Sequence, residues 1–274
     1  MNVHIKIVFI AMFAILILPF YVMLNGSLQN IYGILAMPPR MYPVNPTLQN
    51  YQVLFSWPLG TFAFNTIIVV MATVVLSTLI SCITGYAFAF FEFPFKRILW
   101  VVLLFGIMVP YISLVIPRFV VIRHIGLSGT LASVILPIAF SPTNIYLARC
   151  FFESAPRSLL ESARIDGANE LQILTQIVMP ISKPIISVLA LFTAIVSMGD
   201  YLWQMLCLQD IEKQTLLIGL MKGVRQSAGV PGTTISPFGK SMAASVILFI
   251  PMLVIFLIGN RFFVDGIHMG AVKE

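Results

Sequence analysis

The chain has 274 residues, of which 59% are hydrophobic and 9% charged, with a net charge of +6 and a mean hydropathy of +0.99. Such a composition excludes a soluble globular domain and points to an all-α integral membrane protein with several spans. The Lys and Arg residues form no basic run interleaved with aromatics, which excludes a nucleic-acid surface and fits charges flanking membrane helices.

A membrane helix needs about 20 apolar residues, and segments at roughly 5–26, 62–91, 98–117, 129–148, 184–206 and 241–260 meet that length. The first follows a short basic start (His4, Lys6). No small-residue cleavage site precedes Asn25-Gly26-Ser27, so an uncleaved span is expected rather than a signal peptide. Residues 27–61 are rich in Pro, Asn and aromatics and read as an ordered loop on the membrane surface. Residues 41–91 hold no Asp, Glu, Lys or Arg. A bilayer allows such a run because helices satisfy their own backbone groups. A tight basic turn from Glu92 to Arg97 joins the second and third spans. Cys82, Cys150 and Cys207 are odd in number and far apart, which indicates small buried side chains rather than disulfides or a metal cluster.

Residues 149–183 form a polar island between the fourth and fifth spans. Ser158-x-x-Glu161 is a capping-box pattern that starts a helix after Pro156, with Leu159, Leu160 and Ala163 sharing a face. Gly167 breaks it, because glycine alone turns there without steric cost. Asn169-x-x-Gln172 starts a second helix, with Leu171, Leu174 and Val178 on one face and a stop at Pro180. The expected product is a helix–turn–helix elbow along the membrane, its outer surface charged by Arg157, Glu161, Arg164, Asp166 and Glu170. Residues 207–240 are a longer polar loop whose Gly229-Val230-Pro231-Gly232 suggests a shaped finger rather than a helix. Six spans place both termini on one side. The side with the termini would carry nine of the Lys and Arg residues and the other seven, a margin that agrees with cytoplasmic termini without deciding the orientation.

Glu161-Ser162-Ala163, Asp166-Gly167-Ala168, Ile177-Val178-Met179-Pro180 and Pro184 resemble the E-A-A-x-x-D-G-A…I-x-L-P-x-x-x-P signature of ABC importer permeases. Asp200-Tyr201-Leu202-Trp203, Met242-Ala243-Ala244-Ser245 and the tail 261–274 extend the likeness to the binding-protein-dependent carbohydrate (maltose-type) branch. Ser162 departs from the alanine of the pattern but stays small. Met198, Gly199 and Gln204 depart from its Trp, Asn and Pro. The resemblance implies a type I permease: one domain over 1–274, six transmembrane helices, a cytoplasmic coupling elbow at 149–183 and an extracytoplasmic loop at 207–240. Glu161, Ser162, Ala163, Asp166, Gly167 and Ala168 would couple to the ATPase. It implies a bacterial inner-membrane location with both termini cytoplasmic. The implied partners are a homologous second permease, a dimer of cytoplasmic ATPase subunits and an extracytoplasmic solute-binding protein that brings a saccharide. No cofactor is expected in this chain, since ATP and Mg belong to the ATPase subunits.

Asp200 is the one acidic residue inside an expected span, and an intramembrane carboxylate is a functional candidate; the outer end of the fifth span is the other placement. Asn65, Asn144 and Gln204 either line a sugar path or bond helix to helix. Tyr201 and Trp203 either stack on sugar rings or anchor the span at the interface. His4, His124 and His268 are isolated and support no metal site. No G-x-x-x-x-G-K-[ST], H-E-x-x-H or G-x-S-x-G occurs, so neither a P-loop nor a common hydrolase centre is expected and no catalytic residue is assigned. A lipid-linked transferase would need clustered acidic residues, and a stand-alone secondary transporter usually has inverted repeats; neither is evident.

Overall fold

The computed structural model describes residues 3–226 and 235–270, with Val3 and residues 260–270 as backbone alone. The Gly229–Gly232 finger and the end of the tail expected from the sequence lie outside the described residues. The described chain is helical, with no strand. In order, it comprises α1 (Val3–Ser27), α2 (Ile31–Ile34), α3 (Gln49–Phe55), α4 (Leu59–Phe90), α5 (Lys96–Met108), α6 (Tyr111–His124), α7 (Ala132–Ala139) and α8 (Pro142–Glu153). Then come α9 (Arg157–Ile165), α10 (Glu170–Gln172), a π-turn (Ile173–Val178), α11 (Met179–Ile181), α12 (Lys183–Gly199), α13 (Tyr201–Cys207), α14 (Leu216–Gln226) and α15 (Pro237–Gly270).

Four stretches are long and apolar enough to cross a membrane: His4–Ser27, Leu59–Phe90, Ala132–Glu153, which is interrupted at Phe140-Ser141 between α7 and α8, and Pro237–Gly259. Two further stretches qualify only as bent pairs, α5 with α6 at 110° and Glu170–Ile181 with α12 at 84°. The third expected span, 98–117, is therefore no single helix. Val109 is extended (ψ 124) and Pro110 caps α6, because a residue before proline is driven out of the helical region and proline offers no donor. The loop 207–240 departs from expectation too. Residues 216–226 are the helix α14, whose buried face includes Leu216, Leu220 and Val224.

The chain divides into two compact units, Met1–Ala63 with Gln214–Pro251 and Phe64–Lys213 with Met252–Glu274. In the first, Leu54, Phe62, Leu216, Leu220, Val224, Ala243 and Ala244 form the core. The loop after α1 is tied down by Asn50, whose Nδ2 donates to the carbonyls of Ser27 and Gln29, each at 2.9 Å. α1 itself is apolar and exposed along Ile5–Leu24, a surface left for lipid or another protein.

In the second unit, α4, α8 and α12 meet at a polar knot. Asn144 Nδ2 donates to Ser77 Oγ at 3.2 Å and to Thr193 Oγ1 at 2.8 Å. Hydrogen bonds between small polar side chains are a usual means of joining helices in lipid. Nearer its C-terminal end α4 packs closely on α8. A Cβ at Gly85 would come within 2.8 Å of Ala148 Cβ and 3.0 Å of the Arg149 nitrogen, so only glycine permits the approach. These contacts fix the platform on which the elbow sits.

Candidate functional site: an elbow and a helix break

The elbow begins at Arg157, directly after Pro156, two residues before the capping-box pattern places it. Ser158 is thus already inside α9. Its carbonyl accepts the Ser162 hydroxyl at 2.8 Å, and no side chain caps the helix. The expected capping box of Ser158 and Glu161 does not form, and Glu161 is exposed. α9 buries Leu160 and Ala163, while Leu159, one position off that face, is exposed.

The turn is a Schellman motif. Ala168 N donates to the Ala163 carbonyl at 3.0 Å and Gly167 N to that of Arg164 at 3.1 Å, with Gly167 left-handed at φ 85. Ala163 and Ala168 close it from inside by packing in one core with Cys82, Tyr86, Ala148, Phe152 and Leu160. The second arm starts where the sequence placed it. Asn169 Oδ1 accepts from Gln172 N at 2.9 Å, and Gln172 Oε1 accepts from Asn169 N at 2.8 Å.

The arm does not stop at Pro180. It widens into the π-turn and continues through α11 to Ile181. Pro180 lacks an N–H and its ring crowds the carbonyl four residues back, so a widened turn accommodates it where a regular one would not.

Two outer charges are also placed differently from expectation. Arg164 and Glu170 face each other across the Gly167 turn, with Nε to Oε1 at 2.9 Å and Nη2 to Oε2 at 3.3 Å. Tyr86 of α4 donates its hydroxyl to Glu170 Oε2 at 2.6 Å. Hydrogen bonding from Arg164 holds the Glu170 carboxyl below the usual carboxylate range, against the opposing effect of burial. A lowered folded value makes the interaction fully present at neutral pH and lost only as pH falls through it. Because Glu170 turns inward, Leu171 is thrown outward and is 68% exposed, while Ile173 joins Leu174 and Val178 in the core. Sequence reasoning missed this cluster. The opposite charges straddling Gly167 were a signal for the pair, but nothing marked Tyr86 as their third member.

The outward face of the elbow thus combines Glu161, Ser162 and Asp166 with apolar Leu159, Leu171 and Ile165, the last 86% exposed. Of the six proposed coupling residues, Glu161, Ser162, Asp166 and Gly167 face out, whereas Ala163 and Ala168 pack inward.

The second site is the break between α12 and α13. Asp200 occupies it with φ −77 and ψ 76, and Oδ1 accepts from Trp203 N at 3.2 Å. The Tyr111 hydroxyl lies 2.7 Å and 2.6 Å from the two carboxylate oxygens. The Arg118 guanidinium stands 5.6 Å from the Tyr111 ring centroid and 5.5 Å from that of Trp203. Tyr111, Gly199, Asp200, Tyr201 and Leu202 line an open cavity of about 480 Å³.

The other pathway candidates are enclosed by their own chain. Trp203 is 0% exposed and donates Nε1 to the Ser133 carbonyl at 3.1 Å. Gln204, 1% exposed, donates to the Ser197 carbonyl at 2.6 Å. Asn65 donates to the Glu212 carbonyl at 2.8 Å, and Asn144 sits in the three-helix knot. Asp200 and Tyr201 line the cavity at the break; these four tie backbone and helices together.

Residues 77–268 match the family described as binding-protein-dependent transport system inner membrane component. The chain is 28% identical to the arabinooligosaccharides transport system permease protein AraQ of Bacillus subtilis (strain 168), over 99% of this chain and 96% of the relative. It is 29% identical to the sn-glycerol-3-phosphate transport system permease protein UgpE of Rhizobium meliloti (strain 1021), over 92% and 91% of the two. Among solved structures it is similar to a chain of a bacterial ABC transporter involved in the import of the acidic polysaccharide alginate. The TM-score there is 0.82 at 25% identity, over 94% of this chain and 95% of that one.

Proposed function

The chain belongs to the family of binding-protein-dependent transport system inner membrane components, and from that membership we propose how it serves as the permease subunit of an ABC importer. With a homologous second permease it forms the pathway for an oligosaccharide or other carbohydrate. An extracytoplasmic binding protein delivers the solute, and a dimer of cytoplasmic ATPase subunits docks on the elbow. ATP and Mg belong to those subunits, and this chain catalyses no reaction of its own. The observation that carries the reading is the elbow. Its turn is closed by backbone bonds, while Glu161, Ile165, Asp166 and Leu171 are presented to a partner. The names of the AraQ and alginate relatives support a saccharide. So does the cavity at the α12–α13 break, where a carboxylate and two phenols offer hydrogen bonds and ring faces.

Reconstituting the chain with its second permease, ATPase and binding protein in proteoliposomes tests this. ATP should drive uptake of a labelled arabino-oligosaccharide only when the binding protein is present, and the purified chain alone should hydrolyse no ATP. ATP hydrolysis by the isolated chain, or uptake that needs no ATPase subunit, would overturn the proposal. The orientation has its own test. A reporter active only outside the cytoplasm should stay silent after Glu274 and be active when inserted near Gly232. The reverse pattern inverts the topology and removes the elbow from the cytoplasm.

A further inference from the structure

We propose that Tyr86, Glu170 and Arg164 form a pin that locks the elbow angle to α4, so that a push on the elbow moves the membrane helix instead of flexing the turn. The inference rests on the coupling role proposed above and adds to it three positioning residues, none within the six motif positions assigned to docking. A Schellman turn at a glycine is a ready hinge, since its two arms are joined by backbone alone. Arg164 is on the first arm, Glu170 on the second, and their two-point pairing bridges the hinge. Glu170 Oε2 also accepts the Tyr86 hydroxyl at 2.6 Å. One carboxylate therefore joins both arms to a third helix. Tyr86 is a fixed anchor: it is buried, and its ring lies 5.1 Å from that of Phe90 and 5.7 Å from that of Phe91. Bidentate pairing to arginine sets an angle as well as a distance, which a pin requires and a pair meeting at a single point does not supply.

The test uses the assembled complex and the variants Tyr86→Phe, Glu170→Gln and the two together. Tyr86→Phe removes one hydroxyl and keeps the buried ring, so folding is preserved. Losing a hydrogen bond to a charged group shifts the balance between pinned and released elbows by about tenfold. The expected result is that ATP hydrolysis continues while saccharide transported per ATP falls by about that factor. The double variant should lose no more than the worse single one, because the residues act as one unit. Hydrogen–deuterium exchange at the amides of residues 164–173 should speed up in each variant. An unchanged ratio of transport to hydrolysis in both single variants overturns the pin. If the wild-type complex takes up nothing with ATP, the transport reading fails instead, and exchange alone judges the pin: faster exchange in Tyr86→Phe upholds it, and unchanged exchange overturns it.

Discussion

Gly167→Glu should abolish uptake while leaving the protein in the membrane, and should strip the ATPase subunit from the purified complex. Gly167 sits at φ 85, where a side chain costs about 1–2 kcal/mol. Beyond Gly167 and its two chain neighbours, no atom lies within 4 Å of the position a Cβ would take, so the space is open and the cost is one of backbone conformation. That separates two effects. Gly167→Asn tolerates the left-handed conformation and should keep most of the transport. Gly167→Ala bears the strain without bulk and should be intermediate. Glutamate adds the strain, a long side chain and a third negative charge beside Glu161 and Asp166 on the outward face. Wild-type uptake and ATPase retention in Gly167→Glu would show that this face docks nothing.

Trp203→Ala should be the most destabilising single change in the second unit. Trp203 is fully enclosed, packing with Val69, Val115, Ile138, Cys207 and Leu208. Truncating a buried tryptophan costs about 3 kcal/mol or more. The change also leaves the Ser133 carbonyl without its indole donor and Arg118 without one of its two rings. Thermal unfolding in detergent should show a large drop in midpoint. Trp203→Phe, which keeps an aromatic ring but not the indole donor, should recover only part of it. A tryptophan that stacked on a passing sugar would behave otherwise, with weakened saccharide transport at unchanged stability. That outcome would place Trp203 in the pathway after all.

The contrast between Trp203 and Gly167 shows what this sequence makes legible. Gly167 was readable because a left-handed turn is a local demand that one residue type answers. The Asn169–Gln172 box was readable for the same reason, being closed by side chains three residues apart. The long apolar helices were readable because hydropathy measures the preference of a segment for lipid. Hydropathy is blind to direction, however. A window over 98–117 averages across Val109-Pro110 and reports one span where the chain bends by 110°. It also overlooks α14, whose helical period was hidden in a loop judged by its glycines and Pro231. Trp203 and Gln204 looked like a sugar platform because their chemistry suits one, but their partners Ser133 and Ser197 are fixed by tertiary packing. Tyr86 was the least legible, since it acts on a carboxylate 84 positions away.

The Schellman turn has one more consequence. Its turn is closed by two main-chain bonds and two inward alanines and its angle is held by Arg164, Glu170 and Tyr86, so Glu161, Ile165 and Asp166 have no part in holding it. Shape and recognition are thereby separable. Exchanging those three side chains for the set that another motor reads should re-address the same plug to a different socket, with no change to the frame that carries it.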